Sequence, residues 1–362
     1  MKSPITVCIL AKNEANDIRE CIRSVISYVE EVVVLDTGSS DLTIEIATRE
    51  GALVKRGDWA NHFGQSRNEL IGYATQPYIL MMDADERLMD AESVDLENGI
   101  ALLKQDPHRA GRVEIRNKMS DGRYTTTQIT RLFPNAPEFQ YSGRIHEQLL
   151  YRGAMPETYS TNIKLLHFGY IQQAICNKEK INRNLDLLFK QLVENPQDAY
   201  TLFQIGRTYS VNKQDREALP YLEKAYKSSN KSFRFYPSII HNLAWVYLRE
   251  RKWTELFSLI EVALKTYPDY TDLYYIYGSA LIEMKNVEVF QLIPDAFEKC
   301  IELGESNSSY YETQQGVGTY LAHYNLGLYY ELTRNTDKAR YHYTKSSELG
   351  FAQARSRLTH LS

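Results

Sequence analysis

Cysteine is scarce in this chain: four in 362 residues, at positions 8, 21, 176 and 300, with no C-x-x-C pair among them. Neither a disulfide framework nor a zinc site is expected from such scatter, and the four thiols fit core positions in a reducing compartment, the cytoplasm. Long apolar runs are missing as well. No stretch of about 18 apolar residues occurs, so no membrane-spanning helix is expected. The apolar run before Lys12 is too short for a secretory leader. Nor is there an excess of one charge. The 42 basic and 46 acidic residues leave a net charge of -4, which gives no general attraction to nucleic acid or to an anionic membrane face. The length suits two domains, each with a core of its own.

From residue 5 to about 90, β-branched runs (ITVCIL, EVVVLD, ALVKR, YILMMD) alternate with helical patterns at 16–28, 41–50 and 63–74. This βαβαβαβ order predicts a mostly parallel sheet with ligand chemistry at the carboxyl ends of its strands. Three such ends are polar: AKNEAN, DTGSSDLT and DADER. A helix is expected over 93–105, then GRVEIRN, a D-G turn at Asp121 and Gly122, and YTTTQITRLF, an antiparallel hairpin that makes the sheet mixed. YSGRIHEQLL and IKLLHFGYI close this half. The composition then turns to helical periodicity, which puts a domain boundary near residue 175, with an α/β domain over 1–175 and an all-α domain over 176–362.

The second half repeats. Gly206, Ala244, Gly278 and Gly327 align, with Tyr209, Tyr247, Leu281 and Tyr330 three positions later and Ala218, Leu256, Phe290 and Ala339 twelve positions later. The small residues are 38, 34 and 49 positions apart, close to a helix pair of about 34 residues with insertions. A small residue on the first helix lets the second approach closely, and neighbouring aromatics fill the layer between them.

Residues 81–88, MMDADERL, put Asp83, Asp85 and Glu86 where a buried strand ends. An Asp past a strand also caps a following helix, so the motif alone decides little. Alternate residues of a strand face opposite ways, and a turn at Ala84 is needed to bring both aspartates to one crevice. Two carboxylates repel a diphosphate unless a hard divalent cation, Mg2+ or Mn2+, joins them to the phosphate oxygens. Asn13 and Glu14 in AKNEAN suit a base or ribose, or cap the next helix. Asp36 suits a ribose or base N–H, whereas Asp41 reads as a cap.

In order and spacing, ILAKNEANDIRECIRSV, VVVLDTGSSDLT, DWANHFGQSRNELIGYAT and ILMMDADERL resemble the family 2 glycosyltransferases of the GT-A fold. TRLFPNAPEFQYSGRIHEQL and LLHFGY are similar to the branch of that family with C-terminal tetratricopeptide repeats, which includes the peptide S-glycosyltransferases of the glycocin pathway. The resemblance implies a GT-A mixed-sheet domain followed by tetratricopeptide-like helices. It further implies an inverting, metal-dependent transfer of a hexose from a UDP-sugar, with Asp83 and Asp85 as the D-x-D pair and Asp36 at the nucleotide. Arg67 is then placed beside the nucleotide, where a guanidinium can neutralise phosphate; packing against the sheet is the other reading. His167 is implied to complete the metal sphere with Asp83 and Asp85, against a hydrogen-bonded structural role. Glu147 is the preferred general base, with His146 the alternative and an ion pair to Arg144 or Arg131 the competing account.

The acceptor is expected to be a peptide or protein side chain, Cys or Ser, with a cell-surface glycan hydroxyl as the alternative and homodimerisation as another use of the repeats. A protein-binding scaffold with a vestigial nucleotide site is the rival from another class. A nucleotidyltransferase would want a Gly-rich, Arg-containing loop where this chain has AKNEAN.

Overall fold

The computed structural model describes residues 2–89, 93–118, 124–168, 173–308 and 310–361. The chain divides into two compact units, Met1–Glu194 and Asn195–Ser362.

The first unit runs β1 (Ser3–Ala11), α1 (Ile18–Val25), β2 (Val29–Asp36), α2 (Thr43–Arg49), β3 (Leu53–Arg56), α3 (Phe63–Ile71), β4 (Tyr78–Asp83) and β5 (Glu86–Leu88). It continues through α4 (Ser93–Gln105), β6 (Ala110–Lys118), β7 (Tyr124–Pro134), β8 (Phe139–Ser142), β9 (Gln148–Tyr151), β10 (Thr158–His167) and α5 (Gln173–Glu194). Eight strands form one sheet in the order β3-β2-β1-β4-β7-β6-β10-β5, and β8 and β9 pair separately. β1 runs parallel to β2 and β4, while β7 is antiparallel to both β4 and β6, so the sheet is mixed. The β6–β7 pairing is the predicted hairpin; its expected turn at Asp121 and Gly122 lies outside the described residues.

Both faces of the central strands are buried, which explains their unbroken apolar runs. Ile5, Val7 and Ile9 of β1 pack with Ile22 of α1 and Leu96 of α4 on one face. Cys8, Leu35 and Met81 pack with Leu70 of α3 and with Phe139 and Leu149 of the small hairpin on the other. The carboxyl ends align: Leu10 pairs with Leu35 on one side and with Asp83 on the other, and Ala11 pairs with Asp36. Asp36 and Asp83 therefore flank the end of β1.

The second unit consists of α6 (Ala199–Val211), α7 (Asp215–Ser228), α8 (Tyr236–Arg249), α9 (Trp253–Thr266), α10 (Thr271–Met284), α11 (Val287–Phe290), α12 (Ile293–Leu303), α13 (Tyr320–Leu332), α14 (Thr336–Glu348) and α15 (Ala352–His360). Asp198 of NPQD starts α6, accepting from the amides of Tyr200 and Thr201. The aligned small residues sit where helices touch: a Cβ on Gly206 would lie 2.6 Å from Leu222, and one on Gly327 would lie 2.5 Å from Tyr343.

Two sequence expectations shift. The aligned Phe290 falls on the short α11, and the partner of α10 is α12, whose Phe297 meets Gly278. Pro294 in the first turn of α12 fixes a fresh helix start there. Helical periodicity does begin close to residue 175, but α5 falls in the first unit. Gln191 of α5 accepts from the Arg144 amide at 2.6 Å, and Glu194 accepts from the Arg144 guanidinium at 2.5 and 3.0 Å.

Candidate active site

The turn at Ala84 exists, and the two aspartates it separates have different partners. Asp83, the last residue of β4, accepts from Arg67 Nη2 through Oδ1 at 2.8 Å and from Arg131 Nη2 through Oδ2 at 2.6 Å. Asp85 Oδ2 lies 3.1 Å from His167 Nε2. Register sets this up, because His167 ends β10 opposite Asn117 of β6 and Glu86 of β5. The other ring nitrogen of His167, Nδ1, lies 2.8 Å from Asn117 Oδ1.

Arg67 and Arg131 are both buried and organise the carboxylates. Arg67 Nε donates to Glu147 Oε1 at 2.5 Å, so one guanidinium links Asp83 to Glu147. Arg131 Nη2 also reaches Glu86 Oε1 at 3.3 Å, and Glu86 Oε2 accepts from the Asp83 amide at 2.8 Å. Burial alone would raise the Asp83 carboxyl, but Arg131 and Arg67 outweigh it and hold the group well below the usual carboxylate range. Burial pushes Glu86 up to about 7, against the pull of Arg131. Arg67, Arg131 and Glu86 are buried, and breaking one of them out costs roughly 3–5 kcal/mol because it strands a charge, whereas the Asp83 side chain is 38% exposed and water screens its share.

The elements that carry these groups are pinned together. Asn68 of α3 bonds both the carbonyl and the amide of Tyr141 in β8, at 2.9 and 2.7 Å. Gly64 donates to Gly143 O at 3.1 Å, and a Cβ on Gly64 would lie 2.7 Å from that oxygen. The helix bearing Arg67 thus lies directly against the loop that leads to Glu147. His62 caps this helix, its Nδ1 accepting from Gln65 N at 3.0 Å, and Trp59 packs edge-on against Phe63 at 4.7 Å.

The first two strand ends are tied to each other. Asn13, at φ 58°, accepts from Ser40 N at 2.8 Å, and its amide donates to Ser39 Oγ at 2.8 Å. Asp36 is buried and accepts from the amides of Gly38 and Ser39 at 3.0 and 2.9 Å and from the Ser39 hydroxyl. It builds the loop around Gly38, whose φ of 102° suits glycine. Asp41 accepts from Thr43 N at 3.0 Å and from Ala15 N at 3.1 Å, which ties this loop to the end of β1; the N-cap position of α2 is Leu42, with no side-chain cap, so the cap expected of Asp41 is not formed. Glu14 is half-buried. Its carboxyl is pushed up to about 7, by burial first and then by the fields of Asp85, Asp17, Asp83 and Asp41.

Of the expected metal set, Asp85 and His167 come together, whereas Asp83 presents both oxygens to guanidinium groups. Among the described residues no group of three or more His, Cys, Asp and Glu side chains is arranged to hold a metal. The donors that remain, one carboxylate and one imidazole, fit a divalent cation that takes few protein ligands and completes its shell with phosphate oxygens and water. Burial lowers His167, but the hydrogen bond to Asp85 and the fields of Asp85, Glu86 and Asp83 raise it more, and its net direction is up.

Of the two base candidates, Glu147 joins the network, while His146 is exposed at φ 52°. Glu147 pairs with Arg67, not with Arg144 or Arg131. Arg131, Glu86 and Asn117 belong to the cluster as well, without any signal of it in the sequence pattern. Glu86 adjoins the D-x-D motif, and Arg131 sits in the quoted TRLF stretch, but nothing local marks their pairing.

Residues 6–163 match the family model described as glycosyl transferase family 2. Over 289 residues the chain is 27% identical to the SPbeta prophage-derived glycosyltransferase SunS of Bacillus subtilis, covering 78% of this chain and 68% of SunS. Over 265 residues it is 26% identical to a TPR repeat-containing protein of Synechococcus elongatus, covering 71% of this chain and 64% of that protein, less than two thirds of its length. The crystal structure of MamA matches with a TM-score of 0.40 at 19% identity, covering 51% of this chain and 96% of MamA. The strand ends that carry Asp36, Asp83 and Asp85 lie inside the matched stretch, and the repeating helix pairs come after it in sequence: residues 6–163, less than half of the chain, form a domain of the glycosyl transferase family 2 type, and tetratricopeptide-type helices follow.

Proposed function

We propose that the protein is a divalent-metal-dependent, inverting glycosyltransferase that takes a hexose from a UDP-sugar and places it on a Cys or Ser side chain of a peptide. The observation that carries this reading is the pairing of Asp85 with His167 beside an Asp83 already neutralised by Arg67 and Arg131. Asp85 and His167 would hold Mg2+ or Mn2+. Bound there, the ion would stabilise charge on the departing diphosphate.

The chain's own groups have separable tasks. Asn13, Glu14 and Asp36 form the wall of the crevice on the nucleotide side. Asp83 fixes the two arginines, and Arg67 in turn fixes Glu147. Glu147 accepts the acceptor proton as the sulfur or oxygen attacks the anomeric carbon and the bond from that carbon to the diphosphate oxygen breaks. A general base contributes roughly 10²–10⁴ in rate. A thiol, already partly ionised, needs it less than an alcohol does. The peptide acceptor is supported by the tetratricopeptide-type helices, an arrangement that commonly presents a surface for extended segments.

The test is hydrolysis of UDP-glucose, UDP-N-acetylglucosamine, UDP-galactose and GDP-mannose with Mn2+, Mg2+ or chelator, followed by mass spectrometry of Cys- and Ser-containing peptides. One UDP-sugar should be turned over with metal only, and Asp85→Asn should lower that rate at least tenfold. Turnover unchanged by chelator and by Asp85→Asn would refute the metal assignment.

A further inference from the structure

The helical unit contains a polar site of its own, formed by the chain against itself. The long connection from α12 to α13, which stretches the repeat spacing, lays residues 311–314 on the inner helices. Glu312 accepts from Arg207 Nη2 of α6 through Oε1 at 3.1 Å and from Asn242 Nδ2 of α8 through Oε2 at 3.1 Å. Its carbonyl accepts from Tyr270 Oη at 2.5 Å. The Tyr311 ring stacks on the Tyr270 ring at 4.2 Å and 15°, and its hydroxyl donates to Asp269 at 2.6 Å.

The segment is held unevenly. Its base is fixed on Asp272 of α10, fully buried, which accepts from Gln314 N at 2.7 Å, Thr313 Oγ1 at 2.8 Å and Ser306 Oγ at 2.9 Å. Removing those donors would strand a buried carboxylate. The Glu312 contact is looser: its side chain is 31% exposed and that of Arg207 43% exposed. An ion pair open to water to that degree is worth little. Arg207 also uses only part of its fork, because its buried Nε has no hydrogen-bond partner among the described residues. A carboxylate approaching from a better angle would take both Nε and Nη2, the stronger bidentate arrangement. Beyond Gln314 the surface continues into a trough of about 540 Å³, lined by Trp245, Arg249, Tyr275, Glu283 and Asn325, with room for more chain.

We propose that this inner face is a binding site for an extended peptide that presents an acidic side chain to Arg207 and Asn242, and that Tyr311 and Glu312 are its built-in occupant, displaced when the peptide binds. The anchors on Asp272 keep the segment attached while its tip swings out. A tethered occupant competes at an effective concentration in the millimolar range. A free peptide of equal quality therefore binds the wild-type chain poorly until the occupant is weakened. This inference rests on the helical unit alone and stands whether or not the sugar-transfer reading holds.

The test uses the full-length protein and a fluorescein-labelled peptide with this chain's own residues 307–314, read by anisotropy. Glu312→Ala should bind the peptide at least tenfold more tightly than the wild type does, and Glu312→Gln, which preserves shape, should show the same gain. Adding Arg207→Ala to either variant should abolish the gain, as should replacing the peptide's glutamate by glutamine. Equal binding by wild type and both Glu312 variants, at unchanged thermal midpoints, would overturn the proposal. So would a gain that survives Arg207→Ala.

Discussion

Glu14 shows at one residue how the crevice is charged. Its proton is retained up to about 7 because burial, and then Asp85, Asp17, Asp83 and Asp41, all disfavour the carboxylate. The unfolded chain releases that proton near 4.5, so between 4.5 and about 7 the folded state holds it and the unfolded state does not. Stability from Glu14 is thus present at the acid end of this window and lost as pH rises through it. His342, buried in the helical unit and pushed down to about 4 by burial and by His323, has the opposite slope over a similar range. The comparison that isolates Glu14 is therefore between variants. Without divalent metal, the thermal midpoint of wild type should fall relative to that of Glu14→Gln as pH rises from 4.5 to 7, and level off above. Parallel curves would show that Glu14 is not held protonated.

The same scale shows why Asp83 and Asp85 are legible as a pair at a strand end while their different partners are not. Asp83 and Asp85 stand two positions apart at a strand end, and that much is local. What separates their surroundings is Arg67, sixteen positions before Asp83 and carried by α3, and Arg131, forty-eight positions after it and brought beside β4 by the sheet order. Spacing along the chain carries no such pairing. Asp36 also reads differently once folded, since the Gly38 and Ser39 amides already occupy one of its oxygens.

At the level of elements, periodicity locates the long helices and buried strands, and the four-residue β3 is legible from its place in the βαβ alternation, whereas β5, β8 and β9, of three or four residues each, show no period and stand outside that alternation. The repeat was visible because small residues recur where helices touch. Gly278 is one such case, since an added Cβ would come within 2.8 Å of the Phe297 ring, which is fully buried. Alanine is the better helix former by about 1 kcal/mol. Overpacking a rigid ring costs about 1–3 kcal/mol, so contact outweighs propensity. Gly278→Ala should lower the denaturant midpoint of the helical unit, and Phe297→Leu in the same chain should recover part of the loss. Stabilisation by Gly278→Ala would mean that α10 and α12 pack less closely than described.

For the whole molecule, the question is how much of the chain the sugar chemistry requires. Composition changes near residue 175, yet α5 runs on to Glu194, where Gln191 and Glu194 hold Arg144. Arg144 lies in the loop between Gly143, which Gly64 of α3 contacts, and Glu147, which Arg67 holds. A fragment of residues 1–175 lacks that clamp, and one of residues 1–198 keeps it. Misplacing a reacting group by about 1 Å costs on the order of 10²-fold in rate. If the chain is the glycosyltransferase proposed, the longer fragment should therefore hydrolyse the nucleotide-sugar donor at a rate comparable to that of the full chain, and the shorter one roughly 10²-fold more slowly. If the helical unit supplies the peptide, neither fragment will glycosylate it, and hydrolysis by the longer fragment together with absent transfer would separate donor chemistry from acceptor binding. Equal hydrolysis by both fragments would instead place Glu147 under the control of Arg67 alone, with α5 serving only to close the unit.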